Sequence, residues 1–112
     1  MLNWPMQATC AEIMRLATSR MVDEGLSICI TVHDAVLLEA PLEEIGQHVE
    51  IAKDCWRWAS GKVLKFRLDA DAKIVRYPDR YTDDDGTEAW NQLIQFLEEI
   101  EKKERMAKAI PA

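Results

Sequence analysis

The chain has 112 residues, of which 48% are hydrophobic and 30% charged, so its length and composition fit one folded domain and exclude disorder throughout. Its formal net charge of -6 argues against a freestanding nucleic-acid binder, because such proteins normally present a basic face. The charge does not exclude a piece of a larger binder whose basic surface lies elsewhere.

Three cysteines, Cys10, Cys29 and Cys55, are widely spaced, and no Cys-x-x-Cys pair occurs, so we do not expect a structural zinc site. Each lies in an apolar pattern, and we expect all three to be buried, reduced thiols. No apolar run approaches the ~18 residues needed to cross a membrane, and the N-terminal residues do not show a signal-peptide pattern. We therefore expect a cytoplasmic protein.

The first predicted element is a helix from about Pro5 to Asp23, with Asn3 suited to its start and Gly25 to its end. Apolar residues recur along it at helical spacing, namely Met6, Cys10, Ile13, Met14, Ala17 and Met21. A hairpin from about Leu26 to Ala40 follows, because two runs rich in β-branched and aliphatic residues flank His33-Asp34.

A second helix is expected from about Pro41 to Ser60, where Ile45, Val49, Ala52, Trp56 and Ala59 step by four and three. A third strand is expected at about Val63 to Leu68, then a polar irregular segment, then a helix from about Thr87 to Arg105. This order predicts an α+β fold within a single domain, residues 1–112, in which a small antiparallel sheet of hairpin plus third strand packs with three helices.

Asp34 is the leading candidate for chemistry, because a carboxylate between two apolar strands needs either water or a cation. Mg²⁺ prefers such oxygen ligands, whereas an exposed aspartate at a turn is also ordinary. His33 beside it is suited to bind a phosphate or simply to pack. Asn3 and Gln7 lie four residues apart, so they share a helix face from which amides can contact bases or sugars, or can serve as a cap and a surface residue.

Two other polar features are interpreted as solvated surface. The run Asp83–Gly86 does not match a calcium-binding loop, because Tyr81 and Gln92 would occupy the first and last ligand positions. His48 lies off the apolar stripe of the second helix and is expected to face solvent.

The residues 3–7, Asn-Trp-Pro-Met-Gln, followed by Ala11 and Ile13, resemble the Asn-x-Pro-x-Gln helix of the family A DNA polymerases, the bacterial DNA polymerase I family. About twenty residues later, Val32-His33-Asp34 resembles the last palm signature of that family. The polar segment Asp71–Tyr81 is similar to segments in phage and prophage members. The likeness covers most of residues 1–100 in order.

This resemblance implies that the chain is the C-terminal palm segment of a polymerase that acts in DNA replication. Asp34 would be a catalytic, Mg²⁺-binding carboxylate, His33 would lie beside the primer terminus, and Asn3 and Gln7 would contact the minor groove of the template-primer duplex. The family has Glu where this chain has Ala35, which removes a second nearby carboxylate. A two-metal site needs more than Asp34, so we expect the isolated chain to be inactive and to act with deoxynucleotide and an upstream polymerase polypeptide.

Two other functions remain open at this point. One is a non-enzymatic module that retains the palm fold and forms homo-oligomers through an exposed sheet edge and face. The other, a small metal-dependent nuclease, is less favoured, because few acidic and basic residues converge in the sequence.

Overall fold

The structure, a computed structural model, describes residues 3–110 and confirms the predicted α+β class. The predicted single domain, residues 1–112, includes residues 1, 2, 111 and 112, which lie outside the described range. The chain divides into two compact units, Met1–Arg76 and Tyr77–Ala112, and each is described by itself below. The elements in chain order are α1 Trp4–Asp23, β1 Ser27–Val32, β2 Ala35–Glu39, α2 Ile45–Leu64, a single 3₁₀ turn Asp84–Gly86 and α3 Thr87–Ala109.

Helix α1 is buried along one face of its second half only. Ile13, Ala17 and Met21 follow each other at four-residue spacing and are 3% exposed or less, whereas Met6 near the helix start is 68% exposed. The helix ends where Gly25 adopts a φ of 83°, which glycine tolerates without strain. The backbone N–H of Leu26 then donates to the Met21 carbonyl (2.9 Å) and turns the chain into β1.

Strands β1 and β2 form an antiparallel hairpin that pairs Ser27 with Glu39 and Val32 with Ala35. The register shifts by one residue between Ile28 and Ile30, which is a β-bulge at Cys29. On the inner face, Ile28, Val36 and Leu38 pack against the buried core. On the outer face, paired residues Ile30 and Leu37 stay about half exposed. The sheet has only these two strands within residues 3–110, so its outer edges are unpaired there.

The core of the first unit lies between α1, α2 and the inner face of the hairpin. Its buried hydrophobic residues are Ile13, Ala17, Met21, Leu26, Cys55 and Ala59. Ala17 and Ala59 have no exposed surface, and their small side chains let the two helices approach closely. The second helix starts four residues later than predicted, because residues 42–44 form a turn in which the Glu44 N–H donates to the Pro41 carbonyl (3.0 Å).

The predicted third strand, Val63 to Leu68, is wrong. Helix α2 continues through Gly61 to Leu64 and ends at Lys65, which adopts a left-handed φ of 67°. The apolar alternation of Leu64, Phe66 and Leu68 suggested a strand, but Phe66 and Leu68 remain 59% and 40% exposed. Because these alternating side chains form no continuous buried face, adding the segment to the sheet as a third strand would bury little apolar surface.

The prediction of three buried thiols is correct for Cys55 alone. All three cysteines are free, and Cys10 and Cys29 are exposed. Cys10 lies on the uncovered first half of α1, and Cys29 lies at the bulge, where the strand loses its regular alternation. The predictions for Cys10 and Cys29 were wrong because burial depends on which distant segments cover a residue, and the local apolar pattern does not specify those segments.

In the second unit, the acidic run forms a helix start rather than an ion site. The Asp83 carboxylate accepts from the Asp85 N–H (3.2 Å), and the Thr87 hydroxyl donates to the Asp83 carbonyl (2.9 Å). Asp83 therefore caps the 3₁₀ turn that leads into α3. Every residue of α3 is exposed. Among the helices that the structure describes, none has the length and apolar character to cross a bilayer.

Candidate functional site

The hairpin tip is a two-residue turn made of His33 and Asp34. His33 adopts a φ of 53°, in the left-handed region that only a few per cent of non-glycine residues occupy. Val32 and Ala35 close the turn as the last ladder pair. Glycine commonly fills such a turn position, so His33 carries backbone strain there.

The Asp34 side chain is exposed, and within residues 3–110 it has no hydrogen-bond or ion-pair partner. The neighbouring Ala35 offers no ligand atoms. The nearest acid along β2 is Glu39, five residues away and thus about 17 Å along the strand, where its carboxylate accepts from the Ser27 hydroxyl (3.3 Å). The free carboxylate of Asp34 can bind a hard cation, but it supplies only one protein ligand.

No larger cation site forms around it. In the part of the chain that the structure describes, no group of three or more His, Cys, Asp or Glu side chains is placed to hold a metal ion. A two-metal centre needs several carboxylate oxygens around ions about 3.5–4 Å apart. The described residues therefore do not complete such a centre around Asp34.

The first turns of α1 carry the two predicted amide residues. The Gln7 N–H donates to the Asn3 carbonyl (3.0 Å), which places the two residues one helical turn apart on the same face. Asn3 occupies the N-cap position, but its side chain makes no capping hydrogen bond. Both residues are exposed. Their amides are available to a ligand that approaches this end of the helix.

The hairpin tip and the start of α1 both extend beyond the buried core. The buried face of α1 begins at Ile13, about 15 Å along the helix from Asn3. At the tip, Val36 is the last residue packed against the core, and Asp34 lies two residues beyond it. Among the described residues, no hydrogen bond or ion pair joins Asn3 or Gln7 to the tip. The structure thus presents the two predicted site regions as separate, exposed groups.

Residues 65–70 are held against α2 by a cluster of polar side chains. The sequence did not indicate this cluster. Arg57 binds Asp69 through Nη2 and Oδ1 (2.9 Å) and Asp54 through Nη1 and Oδ1 (2.8 Å). These partners, first the hydrogen bond to Asp54, raise the pKa of Arg57. The fully buried Ser60 hydroxyl donates to the Arg57 carbonyl (3.1 Å) and accepts from the Leu68 N–H (2.9 Å). The i, i+3 spacing of Asp54 and Arg57 was visible in the sequence, whereas Asp69 and Leu68 are brought in by the turn at Lys65.

His48 is half buried, which corrects the expectation that it faces solvent. Its Nε2 lies 3.4 Å from a Glu44 carboxylate oxygen one turn earlier, and its side chain is 21% exposed. The Nδ1 atom is buried without a hydrogen-bond partner in the described residues. The apolar stripe of α2 is wide enough to include this position, which a strict count of apolar residues leaves out.

Cys55 lies beside a small cavity of about 160 Å³ between α1 and α2, lined by Arg20, Glu24, Ile51 and Asp54. Burial raises the pKa of its thiol, so the thiolate is disfavoured. The Arg20 guanidinium lies 4.6 Å from the ring centre of Trp58 and so contributes a cation–π contact across the two helices. These residues stabilise the helix pair and do not form a reactive thiol site.

The polar groups that the sequence predicts for ligand contact thus lie in two separate regions. The hairpin tip carries the exposed Asp34 carboxylate and His33 with its positive φ, and the first turns of α1 carry the exposed amides of Asn3 and Gln7. A scan against protein-family models and searches of curated proteins and of solved structures find no match to this chain.

Proposed function

We propose that this chain is the C-terminal part of the palm of a family A DNA polymerase. The observation that carries the proposal is the His33-Asp34 turn, where an exposed carboxylate lies at a hairpin tip after a helix that begins Asn3-x-Pro5-x-Gln7. The helix, hairpin and helix follow in the order that the resemblance implies. The predicted third strand, Val63 to Leu68, is absent from the described residues and does not support the proposal.

Asp34 contributes one carboxylate to the polymerase centre in this proposal. When bound there, Mg²⁺ would stabilise charge on the reacting phosphate and oxygen atoms during attack of the primer 3′-hydroxyl on a deoxynucleotide. The remaining ligands would come from palm residues outside this sequence. The unpaired edges of the hairpin and its half-exposed outer face, Ile30 and Leu37, are suited to contact such additional strands.

His33 and the two amides position nucleic acid. His33 lies in the same two-residue turn as Asp34, which suits a contact with the primer terminus. Asn3 and Gln7 would hydrogen-bond the minor-groove edge of the template-primer duplex. Minor-groove acceptors differ little between base pairs, so these contacts align the duplex and largely ignore its sequence. The net charge of -6 is consistent with DNA binding that depends on a basic surface elsewhere in the enzyme.

The test begins with the coding region upstream of this chain. The proposal expects it, or a second gene nearby, to encode an Asp-Tyr-Ser-type palm motif and an Arg-x-x-x-Lys-type fingers motif. That polypeptide is then combined with this chain and assayed for primer extension with deoxynucleotides and Mg²⁺. Extension by the combination, and not by this chain alone, is the expected result. Extension by the isolated chain would contradict the incomplete metal site.

The role of Asp34 is tested in the combined enzyme by Asp34→Asn, with Asp23→Asn as the control. Both changes replace an exposed carboxylate with an amide. Loss of residues that merely orient a metal ligand costs 10–100-fold, so loss of the ligand itself should lower activity by more than about 100-fold. Asp23→Asn should leave activity unchanged. Full activity of Asp34→Asn would disprove the proposed role.

The amide contacts are tested separately by Asn3→Ala and Gln7→Ala. We expect each change to raise the KM or Kd for primed DNA by several-fold, while the KM for deoxynucleotide stays unchanged. Gln47→Ala, an exposed amide in α2, is the matched control. Equal effects of all three substitutions would contradict a specific DNA contact by α1.

A further inference from the structure

The turn that follows α2 concentrates positive charge in a chain whose formal net charge is -6. We call residues 62–67 the basic turn, and its exposed cations are Lys62, Lys65 and Arg67. The nearest acids on either side, Asp54 and Asp69, both bind Arg57, so their charges are already balanced. Within residues 3–110, none of the three cations of the basic turn forms an ion pair. Their charge is therefore available to an anionic ligand.

The three cations are gathered at one end of α2 by the backbone and by one close contact. The left-handed φ of 67° at Lys65 turns the chain back toward the helix, and the Lys65 Nζ donates to the Lys62 carbonyl (3.4 Å). A Cβ atom at Gly61 would lie 3.5 Å from the Cγ of Arg67. The stem of Arg67 thus packs against the last turns of α2, where Gly61 has no side chain, and this places its charge beside the other two.

An exposed aromatic ring lies between two of these cations in the sequence. Phe66 is 59% exposed and takes no part in the core. Attraction to the C-terminal end of the helix dipole accounts for Lys62 and Lys65, which lie in or next to the last turn. It accounts neither for Arg67, which follows the helix, nor for an apolar ring in water. A ring flanked by cations is typical of surfaces that stack a nucleobase and bind the phosphates beside it.

The backbone that carries Phe66 is fixed before any ligand binds. The buried Ser60 hydroxyl accepts from the Leu68 N–H (2.9 Å), and Arg57 Nη2 binds Asp69 Oδ1 (2.9 Å). These contacts hold the residues that follow Phe66 against α2. Binding does not have to order this segment, which lowers the entropic cost of association.

We infer that the basic turn binds single-stranded nucleic acid. Phe66 stacks on one base, while Lys62, Lys65 and Arg67 contact the neighbouring phosphates. A duplex does not suit the ring, because each base face in a duplex is covered by the next base pair. Stacking accepts every base, so the binding tolerates any sequence. This binding activity goes beyond the proposed polymerase function and does not depend on it.

Three phosphate contacts and one stacked base make this a weak site with a strong salt dependence. For single strands the logarithm of the binding constant falls by about 0.7 per phosphate contact for each logarithm of salt concentration, so three contacts give a slope of about -2.1. The affinity should therefore fall about 18-fold between ~50 and ~200 mM salt. The acidic remainder of the chain lowers the affinity further.

Fluorescence anisotropy tests the site with a labelled oligothymidylate of about 12 nucleotides, titrated with the full chain at low salt. We expect Phe66→Ala to raise the Kd at least about fivefold, because it removes the stacking ring. Phe96→Ala, at an exposed ring in α3, is the matched control and should leave the Kd unchanged. Circular dichroism checks that both variants keep their helix content.

The phosphate contacts are tested by Arg67→Gln, because glutamine keeps the Cγ atom that packs against Gly61 and removes the charge. This change should reduce the magnitude of the salt slope by about 0.7. Lys103→Gln removes an exposed charge from α3 and should leave the slope unchanged. Equal slopes for Arg67→Gln and the wild type would contradict a phosphate contact by Arg67.

An oligouridylate of the same length distinguishes DNA from RNA as the source of the ligand. Binding of either strand supports the site, because both carry bases and phosphates. Three results would overturn it, namely no binding at ~50 mM salt, a Kd that Phe66→Ala leaves unchanged, or tighter binding of a polyglutamate peptide than of the oligonucleotides. The assay uses the isolated chain and measures no primer extension, so its failure would leave the polymerase proposal unaffected.

Discussion

Replacing His33 by glycine should stabilise the first unit, although His33 belongs to the proposed site. A non-glycine residue at its φ of 53° costs about 1–2 kcal/mol of backbone strain. Glycine removes that cost but increases the entropy of the unfolded chain, which costs about 0.5–1 kcal/mol. The His33 side chain is exposed, so little packing is lost. His33→Gly should therefore raise the free energy of unfolding by about 0.5 kcal/mol.

The neighbouring substitution Asp34→Gly is the matched control, because Asp34 has no positive φ to relieve. It should lower stability by about 0.5–1 kcal/mol, so the two variants differ by about 1–1.5 kcal/mol. At about 4–8 °C per kcal/mol for a domain of this size, His33→Gly melts ~2–4 °C above the wild type. Urea unfolding followed by tryptophan fluorescence and thermal melts measure both changes.

Equal destabilisation by His33→Gly and Asp34→Gly would refute the argument that His33 is strained. In the combined enzyme, His33→Gly should lower primer extension in spite of its higher stability. A gain of stability with loss of activity would indicate that the turn keeps histidine for its side chain.

Ser60→Ala should lower the free energy of unfolding by about 1 kcal/mol, because the fully buried Ser60 hydroxyl is lost together with its hydrogen bonds to the Arg57 carbonyl and the Leu68 N–H. Ser19→Ala, which removes an exposed hydroxyl bonded to the Arg15 carbonyl, should have a much smaller effect in the same urea titration, and equal effects would contradict the assigned role of Ser60. Iodoacetamide at pH 8 should modify Cys10 and Cys29 readily and Cys55 only after unfolding, as measured by mass spectrometry of peptides. Rapid labelling of Cys55 in the folded chain would disprove its burial. Because burial raises the pKa of Cys55, the thiol ionises at a lower pH in the unfolded chain than in the folded one, so the free energy of unfolding should decline as the pH rises above about 8.5.

Most elements of the fold could be predicted from the sequence because their periodicity is strong. Helices α1, α2 and α3 and the hairpin appear where apolar spacing and turn residues indicate them. The end of α2 could not be predicted, since Gly61 is a common helix stop, yet the helix continues past it. Lys65, a residue with no special preference for the left-handed region, ends the helix instead.

Contacts between distant segments could not be predicted from local sequence patterns. The exposure of Cys10 depends on which part of α1 the rest of the unit covers, and the pairing of Arg57 with Asp69 depends on the turn at Lys65. The candidate site shows the same division. The sequence was sufficient to predict Asp34 at a hairpin tip and Gln7 on the first turns of α1. It could not predict the positive φ of His33 or the missing capping hydrogen bond of Asn3, because both depend on local backbone geometry.

The uncovered first half of α1 converts a small change in the orientation of the helix into a larger displacement of its N-terminal residues. About 15 Å of helix separates Asn3 from Ile13, the first residue held by the core. A change of about 10° in the angle at which α1 crosses α2 would move Asn3 by about 2.5 Å, nearly the length of a hydrogen bond. Ala17 has no exposed surface and lies in the core shared with α2, so a larger side chain there would change that angle. In the proposed function, a larger residue at Ala17 would thus misalign Asn3 and Gln7 with the DNA duplex, although Ala17 lies far from both of them.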